Sequence, residues 1–216
     1  AEAPAPTHEA SHGLLYELGD LLESSQEASR ALAVFIELQA AAPVSLPYDT
    51  VNPWCFESAI APHVAAQDAS RPILLTDLVE WYGRASAGAE LAIVEGAGGW
   101  RVPLHPDGFL SDLPETLGCA VVLVVGLTLG CLNHARLTVE AIHGAGRCRL
   151  AGWIANDIDP GFERRQENLA TLERLLGSPP LAEAGWTATR SINGHAVLDL
   201  AASPRLQQAL RAAAGS

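Results

Sequence analysis

The chain has 216 residues, of which 49% are hydrophobic, which is enough to build the core of a single globular domain. Its formal net charge of −12 at pH 7 argues against an extended nucleic-acid groove, although backbone amides can still bind a local anion. No apolar stretch approaches the length of about 20 residues that spans a bilayer. All 13 basic residues are arginines, so chemistry that needs a lysine amine cannot come from this chain.

The beginning of the chain differs in composition from the rest. Residues 1–12 are rich in alanine and proline and predict a disordered leader, followed by a single α/β domain over 13–216. Leucines and other apolar residues recur at helical spacing between 13 and 42, which predicts one or two amphipathic helices, an atypical helical segment. The sequence contains no methionine, which indicates that it does not begin at an ordinary start codon.

One short motif near the beginning offers an alternative function. His8, Glu9 and His12 match HExxH, in which two histidines bind zinc and the glutamate acts as general base in many metalloproteases. That chemistry needs a packed helix and a third ligand further along the chain. Neither an apolar helix face nor such a ligand surrounds the motif, so a zinc hydrolase is a remote alternative.

Beyond residue 42 the pattern changes to strands alternating with helices. Residues 43–66 carry four prolines and predict an irregular loop leading into a short helix, and residues 73–87 predict a helix. The alternation that follows predicts an α/β fold with a doubly wound, mainly parallel sheet, in which the apolar run 120–126 is buried on both faces. The predicted strands are 91–96, 120–126, 149–157 and 179–185, and the predicted helices lie within 107–118, 133–146, 161–176 and 195–213.

The cysteines show no spacing typical of a metal site or of a disulfide framework. Two of them adjoin apolar strands, which favours reduced, buried thiols in a cytoplasmic protein. The four are Cys55, Cys119, Cys131 and Cys148.

The first candidate site follows the predicted strand 91–96, where the apolar run ends on Glu95. Burying a carboxylate costs free energy unless a cation, a donor or a ligand faces it. The small residues that come next would let backbone amides approach a ligand closely. A tight turn with Glu95 facing solvent is the alternative. These small residues are Gly96, Ala97, Gly98 and Gly99.

Two more polar loops follow the next strands. Residues 130–133 precede a helix, with Asn133 as a plausible N-cap, and the free amides of a helix N-terminus bind carboxylate or phosphate. Asn156 and Asp157 end the third strand and can read a ligand ring or form an Asx turn. Because parallel strands end at one edge of a sheet, the three loops together indicate a ligand site there.

Four segments in this order closely resemble ATP-dependent dethiobiotin synthase. They are YDTVNPWCFESAIAPHVAA, VEGAGGWRVPL, VVLVVGLTLGCLNHARLT and AGWIANDIDPG, within a likeness that runs from about residue 38 to 186. The resemblance implies a P-loop NTPase type of fold and a cytoplasmic homodimer. It also implies a ligase that joins 7,8-diaminononanoate and CO2, using ATP and Mg2+, and closes the ureido ring of dethiobiotin through a phosphorylated carbamate.

The same resemblance implies roles for individual residues. Glu95 would bind Mg2+, and the loop after it would line the nucleotide phosphates. Asn156 and Asp157 would contact the adenine, with a segment after the fourth strand beside it. The helix start would bind the substrate carboxylate from the partner subunit. The loop is Gly96, Ala97 and Gly98, the segment beside the adenine is Gly185, Trp186 and Thr187, and the helix start is Gly130, Cys131, Leu132 and Asn133.

The beginning of the chain departs from that family. A first strand, a P-loop of the type GxxxxGKT, a second lysine and a metal-binding aspartate are not found, and residues 1–36 contain only two glycines. The sheet is therefore predicted to lack its usual central strand, and the catalytic residues stay unassigned. Three explanations are open: an altered N-terminal segment, a catalytically silent relative that acts as a dimer or binding module, or a substitute for the P-loop.

Overall fold

The computed structural model describes residues 46–56, 60–96, 98–186 and 203–214. The predicted leader, the helices predicted between 13 and 42, and the HExxH motif lie outside the described residues. Two of the predicted site residues, Ala97 and Thr187, lie outside them as well.

Short helices and a hairpin precede a parallel sheet in chain order. The described helices are α1 (Tyr48–Val51), α2 (Pro62–Asp68), α3 (Leu75–Ala85), α4 (Asp112–Leu117), α5 (Cys131–Gly144), α6 (Arg165–Leu176) and α7 (Pro204–Ala214). The described strands are β1 (Pro103–His105), β2 (Gly108–Phe109), β3 (Ala120–Gly126), β4 (Arg149–Asn156) and β5 (Ala182–Ala184). None of these helices is both long and apolar enough to cross a membrane.

The sheet confirms the predicted α/β class. Its three strands are parallel in the order β3-β4-β5, and β3 and β4 pair from Ala120 opposite Arg149 to Gly126 opposite Asn156. Helices cover both faces of the sheet. Successive side chains of a strand point to opposite faces, so that one strand can pack against helices on both of them. Trp153 and Ala155 of β4 pack with residues of α5 and α6, whereas Ile154 packs with Leu206 of α7.

The strand predicted at 91–96 is wrong. Residues 91–96 form no strand in the structure, and Val94 within this run is 42% exposed. An apolar run becomes a strand only where a neighbour accepts and donates its backbone hydrogen bonds. Among the described residues β3 pairs with β4 alone, so that no neighbouring strand reaches this run from the β3 edge.

The prediction that 120–126 is buried on both faces is also wrong, and among the described residues β3 again has a neighbour on one side only. Only Val125 of β3 is buried, and its other residues are half-buried. A strand at the edge of the described sheet keeps one side uncovered, whereas a central strand does not.

A second apolar cluster packs the region before the sheet. Ile73, Leu78 and Leu104 are buried together, and Trp54 meets Trp81 edge to face with ring centroids 6.2 Å apart. The Trp81 indole donates to the Thr50 carbonyl oxygen at 2.6 Å, which ties α3 to α1. This cluster positions the hairpin β1–β2, which follows the Glu95 loop.

The hairpin was not predicted. Its turn reads His105-Pro106-Asp107-Gly108, and Pro, Asp and Gly together are a signal for a tight turn between two short strands. The Asp107 amide donates to Nδ1 of His105 at 3.2 Å, which closes the turn. The helix predicted within 107–118 is present as α4 and begins only after the hairpin.

Candidate functional site

The carboxyl ends of β3, β4 and β5 are joined by backbone hydrogen bonds that continue beyond the strands. The Leu127 amide donates to the Asn156 carbonyl oxygen at 2.7 Å, and the Asp157 amide donates to the Ala184 carbonyl oxygen at 2.8 Å. Leu127 is itself buried, so the loop that leads to α5 is anchored at its first residue. Two of the three predicted polar loops, those after β3 and β4, therefore lie side by side with the end of β5 at one edge of the sheet, as parallel strands require. The Glu95 loop follows no strand of this sheet, so the prediction that it ends a neighbouring strand is wrong.

Asp157 is held by an arginine that the sequence reading missed. Nε of Arg165 donates to Oδ1 of Asp157 at 2.8 Å and to Oδ2 at 3.0 Å. The Asp157 side chain is only 16% exposed, so this pair is partly withdrawn from water. Both carboxylate oxygens are thereby oriented, which is a different arrangement from a simple Asx turn.

The same guanidinium also reaches the neighbouring strand. Nη2 of Arg165 donates to Oε2 of Glu183 on β5 at 3.0 Å. The hydrogen bond to Asp157 is the main cause that raises the pKa of Arg165, with Glu183 adding to it. Arg165 therefore bridges the ends of β4 and β5, next to Gly185 and the exposed Trp186. An arginine at the first turn of a helix between two acidic strand ends was the signal available in the sequence.

The loop after β3 starts its helix earlier than predicted. Gly130 is the N-cap, with φ of 99°, and α5 begins at Cys131, so Asn133 lies inside the first turn and is not the cap. Glycine adopts this left-handed conformation without steric cost, and the N-cap can therefore lie three residues earlier than predicted. No side chain caps this end by a hydrogen bond, and the Cys131 amide donates to the Thr128 carbonyl oxygen at 3.1 Å, which leaves the amides of Leu132 and Asn133 as the candidate donors to a ligand.

The apolar residue before that glycine stands clear of the protein. Leu129 is 93% exposed, whereas Cys131, two residues later, is buried. An isolated exposed leucine is ordinary, but here it lies directly beside the amides of the helix start. An uncovered apolar side chain thus immediately precedes the predicted substrate-binding residues 130–133.

Glu95 is half-buried and its carboxyl group has an unsatisfied atom. Its Oε1 is buried without a hydrogen-bond partner among the described residues. Burial raises the pKa of Glu95 to about 7, because a carboxylate loses water without gaining a donor. The alternative of a turn with Glu95 facing solvent does not describe this arrangement.

The loop after Glu95 is tightly packed at two of its glycines. A Cβ on Gly96 would lie 2.4 Å from Cδ2 of Leu110, and a Cβ on Gly98 would lie 2.9 Å from Cγ2 of Val102. Gly98 also has φ of 83°, which a larger residue rarely adopts. The loop is therefore packed on the hairpin side, and its backbone bonds run there, such as that from the Ser111 amide to the Trp100 carbonyl oxygen at 3.1 Å.

A divalent cation fits the chemistry of Glu95. An orphaned, partly desolvated carboxylate is stabilised by a cation, and Mg2+ is often held by only one or two carboxylates, with water and phosphate oxygens completing its shell. The described residues contain no cluster of three or more His, Cys, Asp or Glu side chains that could hold a metal by themselves. Glu95 would thus act as one anchor for a cation that a phosphate ligand shares.

Comparisons with known proteins cover two thirds or more of the chain. A family model described as "AAA domain" matches residues 26–189. An ATP-dependent dethiobiotin synthetase of Pseudomonas paraeruginosa is 52% identical over 152 residues, which cover 67% of this chain and 66% of the relative. A protein of the same name from Chromohalobacter salexigens is 44% identical over 193 residues, covering 84% of this chain and 81% of the relative. One from Aeromonas salmonicida is 48% identical over 147 residues, covering 68% and 65%.

The coverage of these relatives is partial. In Pseudomonas paraeruginosa and Aeromonas salmonicida the match spans slightly less than two thirds of the relative's own length. The segments that carry the predicted site, from Glu95 to Trp186, lie within residues 26–189.

Proposed function

Because this chain belongs to the family of ATP-dependent dethiobiotin synthetases, we propose that it provides the ligand surface of a ligase that closes the ureido ring of dethiobiotin. Its substrates would be 7,8-diaminononanoate, CO2 and ATP. One amine of the diamine captures CO2 as a carbamate, and a carbamate oxygen takes the γ-phosphate of ATP. The second amine then attacks the activated carbon and releases phosphate, which closes the ring. Positioning and electrostatics carry most of the catalysis in such a phosphoryl transfer.

The observation that carries this proposal is the orphaned carboxylate of Glu95 beside a glycine loop. Its buried Oε1 would bind Mg2+, which when present neutralises charge on the phosphates of the nucleotide. Gly96 and Gly98 pack against the side chains of Leu110 and Val102, and the backbone of this loop, with Ala97 between them in the sequence, would face the phosphates. Burial raises the pKa of Glu95, and a cation bound to its carboxylate would stabilise the charged form.

The joined strand ends would hold the base of the nucleotide. Asn156 and Asp157 would contact the adenine, and Gly185, Trp186 and Thr187 would lie beside it. The Asp157 carboxylate is already oriented by Arg165, so its direction does not depend on the ligand. A preorganised hydrogen-bonding edge costs less ordering entropy when a ligand binds.

The start of α5 would bind the substrate carboxylate. The residues Gly130, Cys131, Leu132 and Asn133 lie at the positive end of the helix dipole, where the amides of Leu132 and Asn133 would be the donors to the carboxylate. As the resemblance implies, this helix would serve the active site of the partner subunit in a cytoplasmic homodimer.

Formation of dethiobiotin is the direct test. Purified chain, 7,8-diaminononanoate, bicarbonate, ATP and Mg2+ are incubated, and dethiobiotin is measured by mass spectrometry. We expect product from the wild type and a large loss in the Glu95→Gln variant, which keeps the shape of the side chain and removes its charge. The variant Glu90→Gln, in the turn before this region, is the matched control and is expected to keep the activity.

A second candidate function is a catalytically silent dimer or binding module. The observation that favours it is the complete lack of lysine, because this family's P-loop supplies a lysine to the phosphates. Under this alternative, sedimentation shows a stable dimer and the assay yields no dethiobiotin. Product formation by the wild-type chain would exclude it.

Nucleotide affinity separates the phosphate part of the site from the rest. With no P-loop motif in the sequence, we expect ATP with Mg2+ to bind no tighter than about millimolar in calorimetry. Micromolar affinity would contradict this expectation and would indicate that another part of the chain substitutes for the P-loop.

A further inference from the structure

Two cysteines lie side by side at the edge of the sheet opposite to the candidate site. Cys119 and Cys148 immediately precede β3 and β4, whose first register pair is Ala120 opposite Arg149. The Arg149 amide donates to the Cys119 carbonyl oxygen at 3.4 Å, so the two chains are still joined at this level. The two cysteines therefore face each other across adjacent parallel strands.

Their backbone separation suits a covalent link. Neighbouring strands lie about 4.8 Å apart, and this spacing falls within the range of about 4.4–6.8 Å between the Cα atoms of disulfide-bonded cysteines. Side chains of residues that oppose each other in a parallel ladder point to the same face of the sheet. Because Cys119 and Cys148 each lie one residue before the first register pair of β3 and β4, a link between them would not require a change in that register.

The pKa of the Cys148 thiol depends on its neighbour Cys119. Burial raises the pKa of Cys119, and burial followed by the charges of Cys119 and Glu115 raises the pKa of Cys148. A backbone hydrogen bond from Cys119 and the positive charge of Arg147 act in the opposite direction on Cys148. Cys148 therefore lies close to Cys119, and both side chains are half-buried.

We propose that Cys119 and Cys148 form a redox-active dithiol that a low-molecular-weight disulfide converts into an intramolecular disulfide. One thiol loses its proton and attacks the oxidant, which breaks the sulfur–sulfur bond of the oxidant and releases one thiolate. The second thiol loses its proton and attacks the mixed disulfide, which forms the bond between the two cysteines and releases the second thiolate. Two electrons pass from the protein to the oxidant, and the two protons leave with the released thiols.

The disulfide would join the starts of β3 and β4 and would leave the candidate site at the other end of these strands unchanged. It would close a loop that contains β3 and α5, and such a closure stabilises a fold mainly by restricting its unfolded chain. Asn156 and Gly126 lie at the other ends of the two strands, so the ligand loops keep their positions. The inference is therefore independent of the ligase function.

The other two cysteines supply internal controls. Cys55 is exposed and has no thiol opposite to it in a strand pair, so we expect a mixed disulfide with glutathione there. Cys131 is 3% exposed and is expected to stay unmodified. The structure thus predicts three different outcomes for four thiols in one reaction.

The test is oxidation of the folded chain by glutathione disulfide, followed by digestion without reduction and mass spectrometry. We expect a peptide pair linked through Cys119 and Cys148, and a thermal midpoint several degrees higher for the oxidised protein. Cys119→Ser and Cys148→Ser each abolish the link and the shift, whereas Cys131→Ser keeps both. This control is needed because Cys119 and Cys131 share one tryptic peptide. Glutathione adducts on both cysteines without a link between them, or a link that Cys131→Ser removes, would overturn the proposal.

Discussion

The two halves of the candidate site are built in different ways. The ends of β3, β4 and β5 are joined by backbone hydrogen bonds, so their loops are neighbours whatever side chains they carry. The Glu95 loop lies outside any strand and depends on side-chain packing against Leu110 and Val102. A backbone ladder fixes positions through the topology of the chain, whereas a packed loop fixes them through the volumes of particular residues.

The largest expected effect is a loss of stability on replacing a tryptophan of the sheet, compared with a tryptophan of the region before the sheet. Trp153 is fully buried in β4 and its indole donates to the Ser178 carbonyl oxygen at 2.9 Å. We expect Trp153→Ala to lower the free energy of unfolding by about 3–5 kcal/mol, because it opens a large cavity and leaves an acceptor unpaired. Trp81→Ala in α3 is expected to cost less, about 1–3 kcal/mol, because Trp81 is only half-buried.

Urea unfolding followed by circular dichroism measures both changes. Trp186→Ala is the matched control, since Trp186 is 45% exposed, and we expect it to stay within about 0.5 kcal/mol of wild type. An equal loss for Trp81 and Trp153 would show that the region before the sheet contributes as much to stability as the sheet does.

The pH dependence of stability tests the packed half of the site. The pKa of Glu95 is about 7 in the folded chain, against an ordinary value of 4.5. Between these two values the unfolded chain binds fewer protons than the folded one, so stability falls as pH rises from about 4.5 to about 7. Glu95→Gln removes this loss, and we expect it to gain about 2–3 kcal/mol relative to wild type between pH 4.5 and pH 8.

Thermal unfolding over this pH range, with and without Mg2+, gives the readout. At pH 8 Mg2+ is expected to raise the thermal midpoint of the wild type and to leave that of Glu95→Gln unchanged, because a cation that binds the carboxylate stabilises its charged form. Parallel pH curves for wild type and variant would contradict the buried, unpaired state of Glu95.

Much of the sheet could be predicted from the sequence because its strands carry unbroken apolar runs. The run 120–126 is a strand over its full predicted length, and β4 ends within one residue of its prediction. The predicted strand 91–96 also contains an apolar run, 91–94, but forms no strand, because hydrophobicity favours burial and does not provide a hydrogen-bonding neighbour. A pattern in one segment cannot show whether its partner strand is present.

The positions of candidate residues could be predicted where they follow strand ends, but not where they depend on backbone conformation or on contacts between distant parts of the chain. Asn156 and Asp157 were identified because they end a strand, but Arg165 lies eight residues further on, at the start of a helix. The N-cap was predicted at Asn133, because the sequence alone does not show that Gly130 has a positive φ. Ion pairs between elements and backbone angles need the tertiary structure.

The smallest expected effect concerns Arg165, which joins two strand ends through its side chain. Arg165→Ala leaves the Asp157 carboxylate partly buried without its two hydrogen bonds and releases Glu183. We expect a loss of about 1–2 kcal/mol in the free energy of unfolding, less than for a sealed pair because water still reaches part of the guanidinium. The neighbouring Arg164 is the control, because its pair with Glu167 is largely exposed, and Arg164→Ala is expected to cost less than about 0.5 kcal/mol.

Equal losses for both variants in urea unfolding would mean that the bridge adds nothing to the backbone bonds that already join β4 to β5. A larger loss for Arg165→Ala, reduced when Asp157→Asn is combined with it, would show that one side chain strengthens a contact that topology alone had established.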